Sequence, residues 1–95
     1  MEKRELYMAK IEANLTQYNA RLLEMKGKAA EVQADMKLEY LSQMENLEKK
    51  RDEYAEKHDQ LKQAGEDAWE DLKTGTENVW DDLKDTVEKA TKRFK

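Results

Sequence analysis

Apolar and small residues recur with 3-4-3-4 spacing near the start of the chain, through Met8, Ile11, Leu15, Tyr18, Leu22, Met25, Ala29, Val32 and Met36. A seven-residue period of this kind draws them along one side of a helix and is the stripe of a coiled coil. Continuing the heptad would call for Glu39 and Gln43, yet the apolar residues are Tyr40, Met44 and Leu47, so the stripe slips by one position. Such a stutter unwinds a left-handed supercoil locally without breaking the helix. Heptad spacing resumes through Leu47, Arg51, Tyr54, His58 and Leu61, placing the polar Arg51 and His58 where a partner helix would meet them.

The period then changes. Ala68-Trp69-Glu70-Asp71-Leu72-Lys73 recurs eleven residues later as Val79-Trp80-Asp81-Asp82-Leu83-Lys84, and a partial third copy ends in Phe94-Lys95. Ala68, Leu72, Val79, Leu83, Val87, Ala90 and Phe94 form one stripe, Thr76 fills its remaining position, and Trp69 and Trp80 flank it. An eleven-residue repeat, about 3.67 residues per turn, keeps a stripe nearly straight, so it can lie along another helix or on a flat surface.

The boundary between the two patterns falls at Gln63-Ala64-Gly65-Glu66-Asp67. Gly65 can close a helix in the left-handed conformation, and Asp67 with Glu70 makes a capping-box pair for the next one. The spacing predicts a helix over about 3–63, a short turn, and a second helix over about 67–93. Residues 1–64 are thus expected to be a long coiled-coil helix and 65–95 a Trp-containing amphipathic helix. Unbroken, the first would reach roughly 90 Å and could not be compact by itself. Gly27 lies inside the heptad without disturbing its phase and reads as a weak point costing about 1 kcal/mol relative to Ala, with a hairpin there as the lesser alternative. Gly75, within the eleven-residue repeat, predicts a kink or fraying more than a turn. The fold class is all-α, arranged as a helical hairpin or as an extended coiled-coil oligomer.

Composition agrees with long helices. The 95 residues are 42% charged and 38% hydrophobic, contain no proline, and have a mean hydropathy of −1.17. That is too little apolar material for a broad globular core. Glu24 with Lys28, Glu45 with Lys49 and Glu53 with Lys57 are favourably ordered helix pairs. Each adds only about 0.2–0.5 kcal/mol, so packing between helices must supply most of the stability. The absence of cysteine excludes disulfides, thiolate zinc sites and cysteine nucleophiles. No apolar run approaches the roughly 18 residues of a membrane span, and the first ten residues lack the apolar core of a secretory signal, so a cytoplasmic protein is expected.

Charge narrows the partners. Residues 1–65 hold 12 Lys/Arg and 13 Asp/Glu, residues 66–95 hold 6 and 9, and the whole chain carries −4. Nucleic acid is not an expected partner, because phosphate binding needs a concentrated basic face. Lys49-Lys50-Arg51 is followed at once by Asp52-Glu53 and reads as a solvated face. Between Glu66 and Thr91, nine acidic residues oppose Lys73, Lys84 and Lys89, and a basic tip of Lys89, Lys92, Arg93 and Lys95 follows the last acid, Glu88. Anionic lipid would repel that acidic stretch, so protein–protein packing is favoured over membrane contact.

Candidate chemistry is sparse. His58, the single histidine, has Arg51, Tyr54, Leu61 and Lys62 as helical neighbours, which is no metal-ligand set, so a seam or surface role is expected. Glu77, Asp81 and Asp85, with Glu70 and Asp71 nearby, display carboxylates outward along a helix and cannot wrap an ion as a calcium loop does. Ser42 is the single serine and has no histidine close in sequence, and three isolated glycines make no phosphate loop. No catalytic residue, cofactor or metal is expected. The expected functional residues are those of an interface between helices: Ile11, Leu15, Tyr18, Leu22, Met25, Val32, Met36, Tyr40, Leu47, Trp69, Leu72, Val79, Trp80, Leu83, Val87 and Phe94.

Glu66-Asp67-Ala68-Trp69-Glu70-Asp71-Leu72-Lys73, Val79-Trp80-Asp81-Asp82-Leu83, Arg93-Phe94-Lys95, Leu38-Glu39-Tyr40 and Lys50-Arg51-Asp52 carry a resemblance that spans nearly the whole chain. In these segments the sequence resembles the small bacterial coiled-coil proteins classed as stress-response proteins, typified by a cyanobacterial member. The resemblance implies a bacterial cytoplasmic protein associated with stress, with no established molecular activity and no catalytic residues to carry over. Gly27 and Gly75 depart from the helix formers such a protein would have there. The resulting expectation is a non-enzymatic homo-oligomer serving as a stress-associated structural or protein-interaction module, its protein partner unidentified. The alternative is an amphipathic, surfactant-like protein that binds lipids or clients.

Overall fold

A computed structural model describes residues 3–94; Met1, Glu2 and Lys95, the last of these part of the basic tip, lie outside them. Helix α1 spans Lys3–Gly27, a short 3-10 turn covers Lys28–Glu31, α2 spans Ala34–Gln63 and α3 spans Glu66–Arg93. Helices α1 and α2 run antiparallel, with Tyr18 beside Leu47 and Glu12 beside His58. Helix α3 turns back along α2 and runs parallel to α1, with Tyr7 meeting Trp69 and Tyr18 meeting Trp80. The all-α expectation holds, and the described residues measure 50 × 21 × 18 Å.

The single long helix expected over 3–63 is therefore corrected to two. Gly27 itself stays in right-handed helical conformation (φ −62°, ψ −29°). The reversal comes after it, where the helix tightens into the 3-10 turn and Val32 (ψ 136°) and Gln33 (ψ 146°) extend the chain. Folding back lets the α1 stripe bury against its own continuation, and closing so short a loop costs little entropy. The new end of α1 is also satisfied: the Tyr40 hydroxyl donates to the Met25 carbonyl, one of the acceptors left free at a helix C-terminus.

The expected turn near Gly65 is present, but it is not built as a left-handed cap. Ala64 (ψ 142°) and Gly65 (φ −77°, ψ 170°) are both extended, and no described residue has a positive φ. Nor does a side chain cap α3, which begins at Glu66; this leaves Asp67 in the first turn, where its charge complements the helix dipole. Arg4 replaces those local caps from a distance. Its guanidinium donates to the carbonyls of Leu61 (2.9 Å) and Ala64 at the end of α2, and lies 5.6 Å from the Trp69 ring centroid. Helix α3 runs through Gly75 without a break.

The core consists of Ile11, Tyr18, Leu22 and Met25 from α1, Tyr40, Met44, Leu47, Tyr54 and Leu61 from α2, and Leu83 and Ala90 from α3. Thr76 is fully buried, and its hydroxyl donates to the Leu72 carbonyl at 2.7 Å, so no polar atom is stranded there. Ion pairs Lys26–Glu48 (2.7 Å), Lys50–Asp82 and Arg93–Glu39 cross between helices at the surface. Arg93 holds the Glu39 carboxyl below its ordinary value through their hydrogen bond. Exposed pairs such as these contribute at most about 1 kcal/mol each, so they orient the helices more than they stabilise them.

Candidate functional site

The two seams made by α2 are close-packed, with Cα atoms of facing helices approaching within 8 Å. Helices α1 and α3 nowhere come that close, and side chains alone bridge the space between them. Tyr7 meets Trp69 edge-on (centroids 5.4 Å, 74°) and Tyr18 meets Trp80 the same way (6.4 Å, 68°). Tyr7 and Tyr18 are separated by the same eleven residues as Trp69 and Trp80. An eleven-residue register thus runs in both helices, and their parallel alignment brings it into phase.

Further contacts lock the aromatic ladder. Tyr54 of α2 stacks on Trp80 (5.1 Å, 29°), and the Asn14 side-chain amide donates to the Tyr54 hydroxyl at 3.2 Å. The Tyr18 hydroxyl donates to the Leu47 carbonyl at 3.0 Å, and Tyr40 closes the far end against Phe94 (4.9 Å, 89°). Burial, aided by the neighbouring Glu77 carboxylate, pushes the Tyr7 hydroxyl up to about 12. Burial likewise raises Tyr18, Tyr40 and Tyr54, with Asn14 partly offsetting the last. These phenols are neutral hydrogen-bonding groups at ordinary pH and are poorly suited to act as bases.

Between the bridges lies an open groove in two sections. The section toward the start of α1, about 320 Å³, is lined by Tyr7, Lys10, Asn14, Glu77 and Asp81 and carries both signs of charge. The other, about 550 Å³, has an apolar floor of Tyr18, Trp80 and Val87 and a rim of Gln17, Arg21, Lys84, Glu88, Thr91 and Lys92. Arg21 spans this section by donating to the Thr91 hydroxyl at 3.2 Å.

The expected interface residues are brought together within one chain. Ile11, Tyr18, Leu22, Met25, Tyr40, Leu47 and Leu83 are buried, while Leu15, Val32, Trp69, Leu72, Val79, Trp80, Val87 and Phe94 pack half-exposed around them. Met36 is half-buried and shares an end hollow with Val32, Tyr40 and Phe94. Arg51 and His58 face α1, Arg51 donating to the Asn19 side chain (3.2 Å) and His58 lying 3.3 Å from Glu12 and 3.7 Å from Asp59. Glu77 and Asp81 of the acidic ladder line the groove, and among the described residues no three His, Asp or Glu side chains gather as a metal site. No described helix is long and apolar enough to cross a membrane.

Arg4, Tyr7, Asn14 and Arg21 are the contributors that pattern reading missed. Tyr7 was legible through its eleven-residue spacing from Tyr18; the other three are polar residues on a helix flank and give no periodic signal. No family model, curated protein or solved structure matches the chain.

Proposed function

We propose that the protein is a non-enzymatic helical binding module whose working surface is the groove between α1 and α3. The carrying observation is that this seam has no close backbone contact and holds a hollow of about 550 Å³ floored by Tyr18, Trp80 and Val87. That volume is within the range of about 300–1,000 Å³ typical of small-ligand sites, and an apolar floor beneath a few polar groups is their usual composition. This reading departs from the surfactant-like alternative, in which an exposed amphipathic helix binds lipids or clients, by giving the binding to a groove in the folded bundle. The bacterial, cytoplasmic and stress-associated setting implied by the sequence resemblance completes the proposal.

The uncharged fluorophore N-phenyl-1-naphthylamine tests it. Its emission should rise and saturate on adding folded protein, and Val87→Glu and Thr91→Tyr, which charge or fill the hollow, should each abolish the rise while leaving the helical circular dichroism intact. No rise with the unaltered protein overturns the reading.

Self-association is the second reading, favoured by large apolar side chains outside the core: Leu23 is 72%, Leu38 83% and Leu41 48% exposed. Light scattering coupled to size exclusion decides it. A particle of one 11.2 kDa chain removes it, and a multiple supports it.

A further inference from the structure

We infer that the groove selects amphipathic anions, single-chain carboxylates or sulfonates whose apolar body lies on Trp80 and whose head group meets Arg21. The inference rests on the groove being a binding surface at all, and adds the sign of charge that it accepts. Although the chain carries −4 overall, the rim of the larger section is locally basic, with Arg21, Lys84 and Lys92 opposed by Glu88 alone. Glu88 pairs with Lys92 at 3.2 Å and Lys84 lies 3.8 Å from Asp81, but among the described residues Arg21 has no carboxylate within 4.0 Å. Its hydrogen-bond partner is the neutral Thr91 hydroxyl. A guanidinium beside an apolar floor, without a counter-charge, matches a carboxylate or sulfonate that can accept two parallel hydrogen bonds.

The other section orients such a ligand. There Glu77 and Asp81 balance Lys10 and Lys84, whereas the larger section has an excess of cations, so the head belongs at the Arg21 end and the apolar body over Trp80. Trp80 is a firm floor, held by an edge-to-face contact with Tyr18 and by stacking on Tyr54. A free amphiphile and a bilayer of anionic lipid offer the same head-group chemistry. The acidic residues of α3, nine between Glu66 and Glu88, favour the free molecule, since they oppose docking on an anionic surface.

The experiment uses the Trp69→Phe variant, so that Trp80 is the sole indole; among the described residues the Trp69 Nε1 has no hydrogen-bond partner to lose. Trp80 emission is followed during titration with decanoate, decanol and decyltrimethylammonium below their micellar concentrations, and with phosphatidylglycerol vesicles. Decanoate should shift the emission and saturate at one molecule per chain, about tenfold tighter than decanol or the cation. Arg21→Gln and Lys92→Gln, both at exposed positions, should each remove that preference, while Lys62→Gln, on the exposed face of α2, should leave it unchanged. Equal affinity for the three amphiphiles overturns the charge selection and leaves groove binding standing. No binding by any of them removes both. Binding to vesicles but not to decanoate overturns the free amphiphile in favour of a bilayer head group.

Discussion

The seams on the two sides of α2 and the seam between α1 and α3 come from the same stripes, yet they pack differently. Against α2, aliphatic residues such as Ile11, Leu22, Leu47, Leu61 and Leu83 let backbones approach and exclude water almost completely. Between α1 and α3, Tyr7, Tyr18, Trp69 and Trp80 meet edge-on and hold the helices apart like rungs. Large rings have the reach to bridge a wide gap but cannot fill it, so open volume remains between successive rungs. One fold therefore contains a close-packed scaffold and a seam that has room for a ligand.

The sharpest way to break this comparison is to substitute one side chain on each side of it. Leu83→Asp puts a carboxylate at a fully buried core position and should cost more than about 4 kcal/mol, enough to abolish cooperative thermal unfolding near room temperature. Trp80→Leu, in the groove floor, should cost only about 1–2 kcal/mol, because Trp80 is half-exposed and leucine retains part of the apolar contact. Circular dichroism melts of the two variants decide the matter, and similar losses would show that the seams are equally close-packed.

Alkaline pH acts on the aromatic ladder. The folded state raises Tyr7 to about 12, and raises Tyr18, Tyr40 and Tyr54 as well, above an unfolded value near 10. Their contribution to stability is therefore fully present below pH 10 and is lost as pH climbs through the folded values. The urea midpoint should hold constant from pH 7 to about 9 and decline above about 10, and Tyr18→Phe should lessen that decline. A midpoint independent of pH up to 12 would show that the phenols are solvated.

Two smaller effects sharpen the picture at the bundle end and on the outer face. Arg4→Ala should cost about 1–2 kcal/mol by freeing the Leu61 and Ala64 carbonyls, and should increase amide exchange over the last turn of α2 first. An effect confined to α1 would mean that Arg4 caps nothing. Gly75→Ala should stabilise by about 0.5–1 kcal/mol, since a Cβ there meets no atom within 4 Å and the glycine sits inside a continuous helix. A loss of stability would place the glycine at a genuine kink.

Much of the fold was legible from spacing. The heptad through Ile11, Tyr18, Leu22 and Met25 marked the buried side of α1, and the eleven-residue repeat marked Leu83 and Ala90 on α3. The reversal after Gly27 was not legible, because Ala29 and Val32 keep the heptad in phase and nothing local requires a turn there. Arg4 and Arg21 were equally silent, since their partners lie 57 and 70 residues away. The slip at Tyr40 did carry information, although its meaning was tertiary: Tyr40 follows the turn and its hydroxyl closes the end of α1.

By itself the sequence determined that the chain is helical, which side of each helix is apolar, and that a turn falls near Gly65, because periodicity and backbone preference act over a few residues. It left the choice between one long helix and two short ones to the tertiary structure, since the same stripe can be buried by another chain or by its own continuation. It also left open which polar flanks would meet. The groove exists because parallel α1 and α3 bring two eleven-residue aromatic registers into phase, and no local preference encodes that alignment.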